Sequence, residues 1–371
     1  MKHTKITHFE QEHIDTHHDS ALSVTTGVAD QPIVNPHFVR KRRRIMSTEE
    51  YVGGILRGDI TILSQAITLI ESANHDHNAQ AQEIIERCLP YSGRSVRVGI
   101  TGVPGAGKSS FIEAIGGLVT GLRHKLAVLA IDPSSERSGG SILGDKTRMS
   151  TISTSQDVFI RPSPSAGSLG GVARKSRETI ILCEAAGFDL IFIETVGVGQ
   201  SETAVHSMVD IFMMLQISGA GDDLQGIKRG IMEMSDMMVI TKADGENKLR
   251  ADMARTQYAG ALRLFPMPDS GVRPEVYTCS SVDGTGLEEV WKGVEDYIEF
   301  VKRNGHFMGR RQGQLRYWMR ETIHARLLSD FYNDTRVSTV LSDYERRVLE
   351  EQITPFIAAN ELITRHIYEK K

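Results

Sequence analysis

One short segment restricts this chain more than any other: Gly102-Val103-Pro104-Gly105-Ala106-Gly107-Lys108-Ser109. It satisfies the spacing GxxxxGK[ST], follows the apolar, β-rich run Val96–Thr101 and leads into a helical pattern from Ser110 onward. Glycines at this spacing let the backbone curl, so that successive N–H groups converge on one phosphate. The start of the helix adds partial positive charge. Lys108 is placed to reach the outer phosphates, and the Ser109 hydroxyl to ligate Mg²⁺. Gly102, Pro104, Gly105, Ala106, Gly107, Lys108, Ser109 and Ser110 are therefore the expected phosphate-binding residues.

A strand–loop–helix of this kind belongs in a sheet covered on both faces, and the neighbouring sequence agrees. Short apolar runs recur at Leu126–Asp132, Val158–Arg161, Leu190–Glu194, Ile211–Ile217, Met237–Thr241 and Val276–Cys279, with helical patterns between them. Runs apolar at odd and even positions alike suit strands buried between two helix layers. The expectation is an α/β fold, a doubly wound and mostly parallel sheet spanning 96–303, with helical extensions at both ends. Residues 1–46 read as a disordered leader and 47–95 as an N-terminal helical arm opened by Ser47-Thr48-Glu49-Glu50. Residues 304–371 read as a C-terminal helical arm. Its parts are a basic loop Gly305–Gly313 and helices near Gln314–Tyr332 and Ser342–Glu369, the second interrupted at Pro355.

Charge and composition narrow the function. Lys and Arg total 43 against 47 Asp and Glu, a net charge of −4, which argues against a nucleic-acid binder. No apolar run approaches the roughly 18 residues of a membrane span. The N-terminus lacks a secretory signal pattern, and its Glu10, Glu12, Asp15 and Asp19 suit a mitochondrial transit peptide poorly. Three distant cysteines give neither a disulfide framework nor a metal clip, so a reducing cytoplasm is the expected setting. The leader holds His3, His8, His13, His17, His18 and His37 and the basic run Arg40–Arg44, a solvated tail or, alternatively, a metal-binding tract.

A phosphate loop needs acids at other strand ends to organise its metal. Asp132 ends one apolar run; Glu194 ends another, in Glu194-Thr195-Val196-Gly197. The second has the form of a DxxG element with Glu for Asp, and Gly197 can offer its N–H to the γ-phosphate. The Gly-rich stretch Ser138–Arg148 is placed to act as a first switch, with Asp145 able to approach Mg²⁺ from its outer shell. Ser109, Asp132, Asp145 and Glu194 form the expected metal set. Val198 occupies the position where a Gln orients the attacking water in many GTPases, so unaided turnover should be slow.

Thr241-Lys242-Ala243-Asp244 follows another strand and matches the guanine element NKxD, with Thr for Asn. The Asp244 carboxylate can accept from both N1–H and the 2-amino group of guanine, a donor pair that adenine lacks. Lys242 can lay its stem along the base. Cys279-Ser280-Ser281 comes after the last strand, where a backbone N–H can meet guanine O6. GTP and GDP are the expected ligands.

These segments resemble the MeaB/ArgK-type GTPases, the methylmalonyl-CoA mutase-associated chaperones of the SIMIBI class of P-loop proteins. The resemblance runs from about Thr48 to the C-terminus. It is carried by GVPGAGKSS from Gly102, DPSSERSGGSILGDKTRM from Asp132, ETVGVGQSE from Glu194, GAGDDLQGIKRGI from Gly219 and TKAD from Thr241. It implies a further switch in which Asp222, Gln225 and Lys228 respond to nucleotide and signal to a mutase. Lys108, Glu194 and Lys228 are then the residues expected to act in hydrolysis. The resemblance also implies a homodimer formed through the C-terminal helices, and an adenosylcobalamin-dependent acyl-CoA mutase as partner, with neither nucleic acid nor membrane involved. Two alternatives stand beside it: a nickel metallochaperone GTPase, which the His-rich leader favours, and a nucleotide-binding scaffold with negligible turnover. A kinase role in arginine transport finds no support, because the sequence holds no membrane span and no visible amino-acid site.

Overall fold

The apolar runs read from the sequence become seven parallel strands in a computed structural model. It describes residues 46–72, 74–132, 149, 151–164, 169–195, 201–219 and 229–368. The strands are β1 (Val96–Gly102), β2 (Leu126–Asp132), β3 (Val158–Pro164), β4 (Leu190–Thr195), β5 (Ile211–Ile217), β6 (Met237–Thr241) and β7 (Glu275–Thr278). Their order is β3-β2-β4-β1-β5-β6-β7, and every pairing is parallel. The helices before the sheet are α1 (Thr48–Leu56), α2 (Ile60–Glu71) and α3 (His75–Cys88). Within it come α4 (Lys108–Gly121), α5 (Leu169–Ala185), α6 (Ser201–His206), α7 (Arg229–Met234) and α8 (Lys248–Leu262). After it come α9 (Leu287–Arg303), α10 (His306–Tyr332), α11 (Thr335–Leu349) and α12 (Pro355–Tyr368).

Alternate residues of each strand serve opposite layers, as a two-period predicts. Val98, Ile100, Val128, Phe192, Met213 and Val239 face one core, filled from above by Phe111, Ile112 and Ile115 of α4 and Val290, Trp291 and Val294 of α9. Leu129, Ile131, Ile191, Ile193 and Phe212 face the other, with Ile180 and Cys183 of α5. The N-terminal helices also fill this second core through Ile55, Leu63, Ile67 and Ile84. Residues 47–95 therefore cover the sheet rather than stand off it as an arm. Their entry is fixed locally by a capping box: the Ser47 hydroxyl accepts from Glu50 N at 3.3 Å, and the Glu50 carboxylate accepts from Ser47 N at 2.9 Å.

Because β1 lies between β4 and β5 while the chain leaves it for β2, the winding changes direction at the carboxyl end of β1. Open α/β sheets form a crevice at such a point. The loop Gly102–Ser109 lies there.

The C-terminal region departs from expectation. Gly305–Gly313 is not a loop but the opening of α10, whose helix begins at His306. Two glycines inside a helix cost about 1 kcal/mol each, but two arginines offset this by entering buried ion pairs. Arg310 Nη1 donates to Asp236 at 2.8 Å. Arg311 donates to Asp210 through Nε at 2.8 Å and Nη2 at 2.7 Å, and to the Gly93 and Ser95 carbonyls at 2.6 Å each. The last expected helix is two: Asp334 caps α11, and Pro355 begins α12 instead of interrupting a longer run. No helix among the described residues is long and apolar enough to cross a membrane.

Asp210 is only 2% exposed, so losing the guanidinium strands a buried charge. Arg311→Met should therefore destabilise the fold by about 3–5 kcal/mol. In urea the unfolding midpoint should fall with little change in slope; an unchanged midpoint would show the pair to be dispensable.

Candidate nucleotide site

The loop between β1 and α4 approaches β5 closely. A Cβ on Gly102 would lie 2.5 Å from the Leu215 carbonyl oxygen, so no larger residue fits there. Gly105 and Gly107 take φ of +79° and +78°, the left-handed region that glycine enters at low cost. Together they curl the loop into the start of α4. The Lys108 ammonium folds back to donate to the Gly102 carbonyl at 3.1 Å. Burial is the largest influence on Lys108 and pulls its pKa down, while the carboxylates of Glu194 and Glu202 act in the opposite direction. Glu202 is buried in the first turn of α6, and the sequence pattern alone marks no role for it. A buried carboxylate close to the phosphate-loop lysine is the physical signal of one.

Glu194 sits near the end of β4, in register with Ile100 of β1 and Ala130 of β2. Ser109 Oγ lies 3.5 Å from Glu194 Oε1. At the next position Thr195 Oγ1 donates to Thr101 Oγ1 at 2.9 Å and fastens the two strand ends together. Asp132 ends β2 two residues beyond Ala130, and its side chain lies outside the described residues. So do Asp145, Gly197, Val198, Asp222, Gln225 and Lys228. The brought-together set thus comprises the loop 102–110, Glu194 and the base-reading segment.

That segment is tied to the phosphate loop. Thr241 Oγ1 lies 2.7 Å from the Ala106 carbonyl and 3.0 Å from that of Gln216, its hydroxyl hydrogen shared between them. The Thr standing for Asn thus spans from the base element to the phosphate element. Lys242 adopts φ +57°, uncommon for a non-glycine residue. Its side chain crosses the loop, with Cε 3.9 Å from where a Cβ on Gly107 would sit. Asn247 holds this turn by donating to the Lys242 carbonyl at 2.6 Å and accepting from Ser218 Oγ at 2.7 Å. Sequence reading passed over Asn247, though an Asn just after TKADGE was there to be seen.

Ser280 Oγ donates to Asp244 Oδ2 at 2.8 Å, orienting the carboxylate that would face guanine. The N–H of Cys279 is used by Ile240 O at 2.9 Å and that of Ser280 by Thr285 O at 2.9 Å. Of the triplet, Ser281 is the member whose N–H makes no backbone hydrogen bond to the described residues. Cys279 is structural: its thiol is fully buried in the core, and its carbonyl accepts from Ala243 N at 3.0 Å.

A phosphate loop, an acid at a neighbouring strand end and the TKAD turn, all on one parallel sheet, are the arrangement of a P-loop GTPase. The family described as methylmalonyl-CoA mutase-associated GTPase MeaB matches residues 63–336, and the chain belongs to that family. It is 48% identical over 306 residues to a probable GTPase of Mycobacterium tuberculosis, covering 82% of this chain and 91% of that one. It is 44% identical to GTPase ArgK of Escherichia coli, covering 76% and 86%. With the mitochondrial methylmalonic aciduria type A homolog of Mus musculus the identity is 42%, covering 84% and 77%. Among solved structures, one described as a LAO/AO transport system kinase superposes with a TM-score of 0.69 at 34% identity, covering 86% of this chain and 98% of that one. The activity is GTP hydrolysis.

Two substitutions test the base-reading segment. Thr241→Val keeps the shape but strands two buried carbonyls, a cost of about 1–3 kcal/mol. GTP affinity measured by calorimetry should fall about tenfold, and Thr241→Ser should restore most of it. Asp244→Asn should move preference from guanine to xanthine nucleotides, because the new amide donates to the xanthine oxygen that replaces the amino group. Discrimination built on buried hydrogen bonds reaches roughly 10⁴; unchanged GTP affinity would show that Asp244 does not read the base.

Proposed function

We propose that this GTPase works with Mg²⁺ and chaperones an adenosylcobalamin-dependent acyl-CoA mutase, gating loading of the cofactor and guarding the enzyme against inactivation. The carrying observation is the match over residues 63–336 to a family described as mutase-associated, on a chain whose phosphate and base loops are assembled. A cytoplasmic location fits a mutase partner and the free cysteines.

The donors gathered at the ends of α4 and β4 are a hydroxyl and a carboxylate, hard oxygens that suit Mg²⁺. Ser109 and Glu194, with Asp132 and Asp145, would hold the ion, which when bound offsets charge on the phosphates. On binding GTP, Lys108 would exchange the Gly102 carbonyl for phosphate oxygens, and loop N–H groups would surround the β-phosphate. Asp244, held by Ser280, accepts from the guanine edge, and Lys242 lies along the ring. Val198 cannot orient a water, so the partner must complete the hydrolytic site, acting through Gly197 and through Asp222, Gln225 and Lys228.

The C-terminal helices support a homodimer reading. Leu315, Met319 and Leu327 of α10 are 59%, 58% and 62% exposed, and Phe356 of α12 is 81% exposed. A self-complementary two-fold contact would cover these faces. The nickel reading gains nothing from the cysteines. Burial pushes the Cys88 thiol up to about 11 and the Cys279 thiol up to about 12, away from the thiolate that binds metal.

If the mutase prefers the GTP-bound state, GTP must tighten mutase binding by the same factor as mutase tightens GTP, typically 5–150-fold. Phosphate release should accelerate when the mutase is added. Lys228→Ala should lose that acceleration and keep GTP affinity. A mutase that neither binds nor stimulates the wild-type protein would remove the chaperone reading and leave the GTPase intact.

A further inference from the structure

Away from the nucleotide site, α5 and α10 bury a cation, Arg177, whose only close polar partner among the described residues is the Tyr317 side chain, with the Glu321 carboxylate farther off. Arg177 of α5 is 6% exposed, and its Nε is buried without a hydrogen-bond acceptor. Its guanidinium lies 5.4 Å from the ring centres of Tyr317 and Trp318, both on α10. A buried cation is costly unless it is paired, and ring faces return only part of that cost. Burial accordingly pulls the Arg177 pKa down, against weaker help from Tyr317 and Glu321.

The nearby acids are engaged elsewhere. Glu178 accepts from Arg174 Nε at 3.1 Å and Gln82 at 3.0 Å. Glu321 lies 3.8 Å from His324, an ion pair when that imidazole is protonated. Glu184 pairs with Arg97 at 2.9 Å, and Arg97 also covers the Trp318 ring from 5.9 Å. Among the described residues, no carboxylate lies within ion-pair distance of Arg177. By contrast, the buried Arg311 and the half-buried Arg310 each have one, Asp210 and Asp236.

Arg177 opens onto a cavity of about 400 Å³ between the two helices. Arg174, His324, Thr322 and Ser329 line it with donors, Leu328 and Tyr332 with apolar surface, and Glu321 adds one carboxylate beside His324. The Ser329 oxygen already accepts from Asn333, so its hydrogen is free to donate. The volume lies at the lower end of the range for small-molecule sites, roughly 300–1,000 Å³. Guanidinium forks match carboxylate and phosphate oxygens in two-point contacts.

We propose that the cleft between α5 and α10 is a binding site for a small organic oxyanion, a carboxylate or a phosphate ester, with Arg177 as its central anchor and Arg174 and His324 at its rim. The apolar side of the cleft takes the body of the molecule.

The full-length protein, loaded with a non-hydrolysable GTP analogue so that the phosphate loop is filled, is titrated calorimetrically at fixed ionic strength. The probes are succinate in one arm and glycerol 3-phosphate in the other, and the arm that saturates identifies the oxyanion. Arg177→Met should weaken that binding tenfold or more, Arg177→Lys should weaken it less, and GTP affinity should stay unchanged. Trp318 fluorescence supplies a readout on the wild-type protein should Arg177→Met fail to fold: the saturating anion should change it with the same midpoint. Two results overturn the proposal. One is the absence of saturable heat and fluorescence change with both probes. The other is Arg177→Met dissociating the protein into monomers while the wild type binds neither anion, which assigns the counter-charge to a second copy of the chain.

Discussion

Asp210 sits just before β5 with its carboxylate out of water, and two remote segments satisfy it. The Arg97 backbone N–H of β1 donates at 2.9 Å, and the Arg311 fork arrives from α10. Beside it, Glu184 accepts from Gly93 N, Ser95 Oγ and Arg97. These buried charges lie at the entry of β1, opposite the phosphate loop. They fix how β1 sits against β5, and that pairing brings Gly102 against Leu215. The ligand end of the sheet therefore depends on an ionic joint at the other end. Removing one partner of such a joint is far more damaging than its net contribution suggests.

The same joint explains why the C-terminal helices belong to the fold. Gln314 donates to the Val209 carbonyl at 2.7 Å and Trp318 to that of Ser207 at 2.9 Å, one and two turns beyond Arg311 along α10. The first half of α10 is thus bound to the segment between α6 and β5. α6 follows directly on the stretch 196–200, which holds Gly197 and Val198. These bonds link the end of α6 and the start of β5 with the helix whose exposed apolar residues lie farther along.

Much of this was legible because it is local. Strands buried on both faces leave runs such as Leu126–Ile131 apolar at every position, and the phosphate loop is read from spacing alone. The TKAD segment is visible in the sequence, but Thr241 spans to Ala106 across 135 residues, a contact no local pattern carries. The opening of α10 was misread for the same reason. Arg310, Arg311 and two glycines look like a solvated loop until Asp236 and Asp210 are known to lie beside them, 74 and 101 residues away. Cys279 and Ser280 stand where a guanine contact was expected, yet their amides were already committed to Ile240 and Thr285, which only tertiary structure reveals.

The bond from Thr241 to the Ala106 carbonyl has a consequence for how a nucleotide is held. If the base and phosphate half-sites lie as proposed, this bond joins them directly, and a nucleotide would meet them as a chelating agent meets two linked donors. Once either end is seated, the other is presented at high local concentration, and little freedom remains to be lost. A free base or a free pyrophosphate gains none of this. Small slackening at Thr241 would accordingly be felt least by such fragments and most by the intact nucleotide.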